Sequence, residues 1–230
     1  MTDLFRKLFG KKEEPVKQIQ VDMATTAPLT DQQISSIVAI QNLKSETKQL
    51  MAGVGQSVGK QRDHNEDSVL SLTSTMAGSA ESIPFGLYIV ADGMGGHQFG
   101  EVASNAAIRI MGGNITKKFH SYLYSLPTQS LQESLQEVME TSITEAHQYV
   151  QREAPGSGTT VTAALVLGQQ VTIAHVGDSR AYSIYPDGRI DTITRDHSLV
   201  KRLEELGHLS KDEAENFPHR NVLIRALGQG

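Results

Sequence analysis

The chain has 230 residues, 38% of them hydrophobic and 20% charged, with a formal net charge of −5. That length and balance give one substantial domain plus an extension, and a negative chain offers no field to attract nucleic acid. With no cysteine, disulfides, thiol catalysis and thiolate metal sites are excluded, so any bound metal must sit on oxygen or histidine.

Residues 1–48 read as an N-terminal extension and linker. Leu4-Phe5-Arg6-Lys7-Leu8-Phe9, followed by Lys11 and Lys12, fits a membrane-surface helix over residues 4–12, a docking peptide or a frayed terminus. Residues 13–33 are polar, with Pro15 and Pro28, and read as linker. Ile34, Ile37 and Val38 share a face of a short helix. No apolar stretch of signal-peptide type follows the basic start, and the longest apolar runs, such as Val161 to Gly168, are strand-sized. The expectation is a cytoplasmic protein with no membrane span.

A domain over residues 49–230 follows. Strands are predicted at Leu50–Val58, Ser68–Leu72 and Leu87–Ala91, then helices at about Glu101–Lys118 and Leu131–Arg152. Thr159–Leu167, Val171–Val176, Arg180–Tyr185 and Ile190–Thr194 read as further strands, the last two joined by the turn Pro186-Asp187-Gly188-Arg189. Strands, two helices, then hairpin-linked strands predict an α+β fold with antiparallel sheets.

Four clusters carry the chemistry. Arg62-x-x-Asn65-Glu66-Asp67 places a carboxylate at the mouth of a strand, where a hard cation would want it, and an arginine whose planar fork suits phosphate. Taken alone it reads more readily as a solvated charged turn. Ala91-Asp92-Gly93-Met94-Gly95-Gly96-His97 follows an apolar strand, so carboxylate and open backbone carbonyl meet at one point. The glycines also serve a plain strand-to-helix turn. Gly177-Asp178-Ser179-Arg180 sits at a bend between strands and departs from an ordinary hairpin turn. In Thr194-Arg195-Asp196-His197-Ser198, Asp196 is expected to cap a helix. Strand-end carboxylates beside an arginine suggest a two-metal hydrolase of phosphate esters.

The order of these motifs, with Gly158-Thr159-Thr160 and Leu223-x-Arg225-Ala226-Leu227-Gly228, resembles the metal-dependent serine/threonine protein phosphatase family, type 2C, in its bacterial form, over about residues 50 to 230. The resemblance implies a four-layer β-sandwich of two antiparallel sheets flanked by helices. It implies Arg62 on substrate phosphate, and Asp67, Asp92 and the Gly93 carbonyl on two Mn²⁺ or Mg²⁺ ions. Glu66 would contact the metal shell, and Asp178 would help to hold a third ion. Phosphorylated proteins would be the substrates, a cognate serine/threonine kinase a partner, and the chain a monomer.

Two departures from the family pattern bear on these expectations. Many eukaryotic relatives carry a histidine directly after Asp-Gly as general acid; here Met94 stands there and His97 becomes the candidate. The family also places a Ser-Asp-Gly and an Asp-Asn motif on closing strands, beyond the point where this chain stops at Gly230. The expectation is therefore a C-terminally truncated domain lacking two carboxylate ligands and closing strands. A catalytically inactive phosphatase-like module that binds phosphoprotein through Arg62 is the alternative.

Overall fold

Ser82–Met94 buries every second side chain over its middle: Phe85, Leu87, Ile89 and Ala91 are inside, while Val90 is 47% exposed. A period of two makes a strand with one face on a core. In the computed structural model, which describes residues 49–60, 62–77, 82–95, 99–127 and 129–229, this strand (β2) pairs antiparallel with β1, Asp67–Ala77. Its other edge pairs with β3 (Gly158–Thr159) and β4 (Val161–Leu167), and β4 pairs with β5 (Gln170–Val176). The sheet order is β1-β2-β4-β5, with β3 extending the β4 line along β2. The described residues belong to a unit running Thr47–Gly230. The readings of residues 1–48 and of His97 lie outside the described residues.

Two helices cover one face of this sheet. The first, α1 (Phe99–Tyr124), buries Met111, Ile115 and Phe119 at intervals of four, and Phe119 tilts onto Phe85 with ring centroids 5.3 Å apart. The second, α2 (Leu135–Glu153), adds Val138, Met139 and Ala146 to the same core as Leu87, Ile89, Val161 and Leu165. It starts at Leu135 rather than at the expected Leu131, because Ser134 and Glu137 close a reciprocal capping box there. Ser134→Ala is expected to lower stability by about 1 kcal/mol. Urea unfolding should show a lower midpoint at unchanged slope.

Beyond β5 come a two-stranded ribbon, β6 (Tyr182–Ile184) with β7 (Ile190–Thr192), and two short helices, α3 (Leu199–Glu205) and α4 (Lys211–Glu215). The expected α+β class with antiparallel sheets and helices is what is seen. Two expectations are corrected. Leu50–Val58 forms no strand, because none of the described residues pairs with it: Met51 is 96% and Val54 57% exposed. Asp196 caps no helix. Ser198 does so instead, accepting from the Lys201 amide, while Asp196 takes both arms of Arg180 at 2.8 and 2.6 Å. Among the described residues no helix is long and apolar enough to cross a membrane.

Candidate active site

Antiparallel register puts Asp67, the first residue of β1, directly opposite Asp92 near the end of β2. Directly opposed side chains lie close together, and like charges there oppose pairing. The Asp92 carboxyl is accordingly pushed up to about 6, first by burial, then by the charge of Asp67 and a hydrogen bond with it, and further by the charge of Asp178; Arg62 acts the other way. Without a cation the fold therefore holds a carboxylate pair that resists full ionisation.

The pair stands at a cleft of about 780 Å³ whose lining includes Arg62, Glu66, Asp92, Gly93, Thr160 and Asp178. Arg62 lies at its mouth with a side chain 65% exposed, and one guanidinium nitrogen meets Glu66 at 3.1 Å. Among the described residues no other side chain bonds that fork, whose remaining donors suit a ligand's oxygens. Glu66 also faces His64 at 3.7 Å.

The frame around Asp92 is built largely from backbone. Ser104 of α1 donates to the Glu66 carbonyl at 2.6 Å, and the Gly93 amide donates to the same oxygen at 3.2 Å. Helix start, strand end and the Arg62–Asp67 turn thus share one acceptor. On the other edge the Thr160 amide donates to the Asp92 carbonyl at 2.9 Å and the Thr160 hydroxyl accepts from the Asp92 amide at 3.0 Å. Thr159 Oγ1 donates to that carbonyl too, at 3.0 Å. Every backbone group of Asp92 is therefore fixed, which leaves the carboxylate as its only movable part.

The residues fit a divalent cation by their chemistry. Two opposed carboxylates that repel one another in the metal-free chain are relieved by a hard ion, and an all-oxygen set suits Mg²⁺ or Mn²⁺. Among the described residues no three carboxylate or histidine side chains gather tightly enough to enclose an ion. The pair is thus an open cradle, in which a bound ion would keep much of its water shell. Of the expected residues, Arg62, Glu66, Asp92, Gly93 and Asp178 line one cleft, and Asp67 faces Asp92. The sequence motif that begins at Ala91 runs on to Ser104 but gives no role to that residue, a buried hydroxyl on an otherwise apolar helix face. Thr160 was noticed within its motif, but its grip on Asp92 was not foreseen.

Comparison with known proteins agrees with this picture. The model of the family described as protein phosphatase 2C matches residues 51–206. The chain is 39% identical over 171 residues to the serine/threonine phosphatase stp of Listeria innocua serovar 6a, covering 74% of this chain and 64% of the relative. It resembles the crystal structure of the serine/threonine phosphatase Stp1 from Staphylococcus aureus at a TM-score of 0.56 and 32% identity, over 76% of this chain and 64% of that one. The catalytic domain of the serine/threonine protein phosphatase PstP, solved in complex with two manganese ions, matches at a TM-score of 0.50 and 31% identity, over 74% of this chain and 63% of that one. The chain spans about 64% of the length of the Listeria relatives.

Proposed function

Because the chain belongs to the protein phosphatase 2C family, we propose that it hydrolyses phosphoserine and phosphothreonine in proteins, with Mn²⁺ or Mg²⁺ at Asp67 and Asp92. The observation that carries this reading is Asp92 beside Arg62 in one cleft, with Asp67 facing Asp92 across the paired strands. Two cations bound at such carboxylates supply a water acidified towards neutrality and a positive clamp for phosphoryl oxygens.

The chain's own residues do the rest. Arg62 takes non-bridging phosphate oxygens with the arms that Glu66 leaves over, and Glu66 sets the direction of the fork. Asp92 presents its carboxylate from a fully bonded backbone, and Gly93 offers its carbonyl beside it. Asp178 extends the acidic set toward a third ion. His97 is our candidate to protonate the leaving serine or threonine oxygen; an unchanged rate and pH profile of His97→Ala on a poor leaving group would remove it. We place the protein in the cytoplasm as a monomer acting on phosphoproteins, opposite a serine/threonine kinase. Residues 1–48 are an extension to this domain. A binding-only module draws no support from relatives that are named phosphatases.

Hydrolysis of p-nitrophenyl phosphate and of a phosphothreonine peptide should require millimolar Mn²⁺ and stop in chelator. No hydrolysis with either metal, or turnover indifferent to chelator, refutes the reading. Arg62→Ala should lower kcat/KM on the peptide by about tenfold or more, mainly through KM, since a hydrogen bond to a charged group is worth about 1.5–3 kcal/mol.

A further inference from the structure

The loop carrying Asp178 is strapped to the segment 194–198 on both sides of that residue. Before it, the Gly177 amide donates to His197 Nδ1 at 3.1 Å, and the His197 amide donates back to the Gly177 carbonyl at 2.7 Å. After it, Arg180 grips Asp196 with two arms, and the Ala181 amide donates to Thr194 Oγ1 at 3.0 Å. The sequence motifs Gly-Asp-Ser-Arg and Thr-Arg-Asp-His are thus two halves of one clamp.

His197 is itself fixed. Its carbonyl accepts from the Ile224 amide at 2.8 Å, and its ring stacks on His175 with centroids 5.0 Å apart. His175 is held by Thr162 Oγ1 at 2.9 Å and by the Arg195 carbonyl at 3.2 Å. A backbone amide can only donate, so His197 Nδ1 must be the unprotonated nitrogen of a neutral ring. Burial, followed by the charges of His175, Arg225 and Arg195, lowers its proton affinity against a smaller pull from Asp196, which keeps the ring in that form.

The loop has little freedom on its other side. Gly177 has φ +114°, and a Cβ there would lie 2.6 Å from the Thr160 side chain. Thr160 Oγ1 accepts from the Asp92 amide and hydrogen-bonds Ser179 Oγ at 2.7 Å. Asp92 and Ser179, the residue after Asp178, are therefore tied to one hydroxyl.

We propose that His197 is a positioning residue, whose Nδ1 accepts the Gly177 amide and so holds Asp178 where it lines the active-site cleft. The functional half of this inference rests on the metal-site reading of Asp178; the strap itself does not. Outer groups that orient a metal ligand typically change metal affinity by about 10–100-fold.

Two replacements separate the acceptor from the ring. His197→Asn keeps an acceptor near Nδ1 without the ring, and His197→Phe keeps a ring to stack on His175 without the acceptor. In the full chain without metal, amide hydrogen exchange at Gly177 should remain close to wild type in His197→Asn and be about tenfold faster in His197→Phe. In Mn²⁺ titrations followed by thermal shift, His197→Phe should raise half-saturation about tenfold, His197→Asn should largely restore it, and His197→Phe should add nothing in an Asp178→Asn background. Equal impairment by Phe and Asn, unchanged Gly177 exchange in His197→Phe, or a full His197→Phe effect without Asp178 overturns the proposal. An Asp178→Asn chain with wild-type Mn²⁺ half-saturation would overturn its functional half and the metal role of Asp178, with Gly177 exchange still deciding the strap.

Discussion

Asp92→Asn is expected to abolish metal-dependent turnover and, at the same time, to make the metal-free chain more stable. The first effect follows from position. Groups that merely orient a metal ligand cost about 10–100-fold when removed, so losing the carboxylate that faces Asp67 should cost about 10³-fold or more in kcat. The second follows from electrostatics. The Asp92 carboxyl stands at about 6 in the fold against an ordinary 3.8, because burial and the charge of Asp67 penalise its ionised form. A carboxyl raised in this way favours the fold while it is protonated, and that contribution fades as pH rises through about 6. Metal-free wild type should therefore lose stability between about pH 4 and pH 7, and Asp92→Asn should not share that part of the slope. At neutral pH the gain should be about 1 kcal/mol once solvent screening of a partly exposed group is allowed for. Chemical denaturation in chelator at several pH values, beside p-nitrophenyl phosphate turnover in Mn²⁺, reads both effects. A variant within tenfold of wild-type activity would remove Asp92 from the centre. One less stable than wild type at pH 7 would mean that the opposed pair carries no strain.

How much of this was legible in the residues depends on distance along the chain. Asp92-Gly93 was readable because a buried strand, an acid and a glycine are contiguous, and each has a local meaning. The opposition of Asp67 to Asp92 required only that the two strands pair in the register their apolar alternation prefers. The Ser134–Glu137 box, a local pattern, should have moved the start of α2 to Leu135. Leu50–Val58 failed for a different reason, since strand-like composition has no force without a neighbour to bond. The clamp between 177–181 and 194–198 is a matter of contacts some 13–20 residues apart, so Asp196 looked like a helix cap when only its own neighbours could be weighed. Ser104 gave no sign of its role either, because its partner, the Glu66 carbonyl, comes from the turn before β1.

Gly93→Ala is expected to be the most destabilising single methyl that can be added near the site. A Cβ at this position would fall 2.1 Å from the Gly100 carbonyl oxygen, 2.5 Å from its carbon and 2.7 Å from the Glu66 carbonyl oxygen. All three are backbone atoms, so no side chain can turn aside. Either the start of α1 must lift from the end of β2, or the Arg62–Asp67 turn must retreat. Both movements strain the shared acceptor at Glu66 that Ser104 and the Gly93 amide occupy. Overpacking of a rigid core costs about 1–3 kcal/mol and sometimes more; here the upper end is expected, about 3 kcal/mol. For a chain of this size that corresponds to a fall of roughly 6–12 °C in Tm. Gly100→Ala is the matched comparison. Its Cβ would meet Gly93 carbon at 3.0 Å, the Met94 amide nitrogen at 3.1 Å and Glu66 Cδ at 3.2 Å, contacts that a few tenths of an ångström relieve, so about 1 kcal/mol is expected. Thermal unfolding of both variants in chelator should give that order. Gly93→Ala melting within about 2 °C of wild type would show that α1 does not need to sit this close to β2. Near-normal Mn²⁺-dependent turnover in the same variant would further show that the cleft tolerates displacement of the turn carrying Asp67.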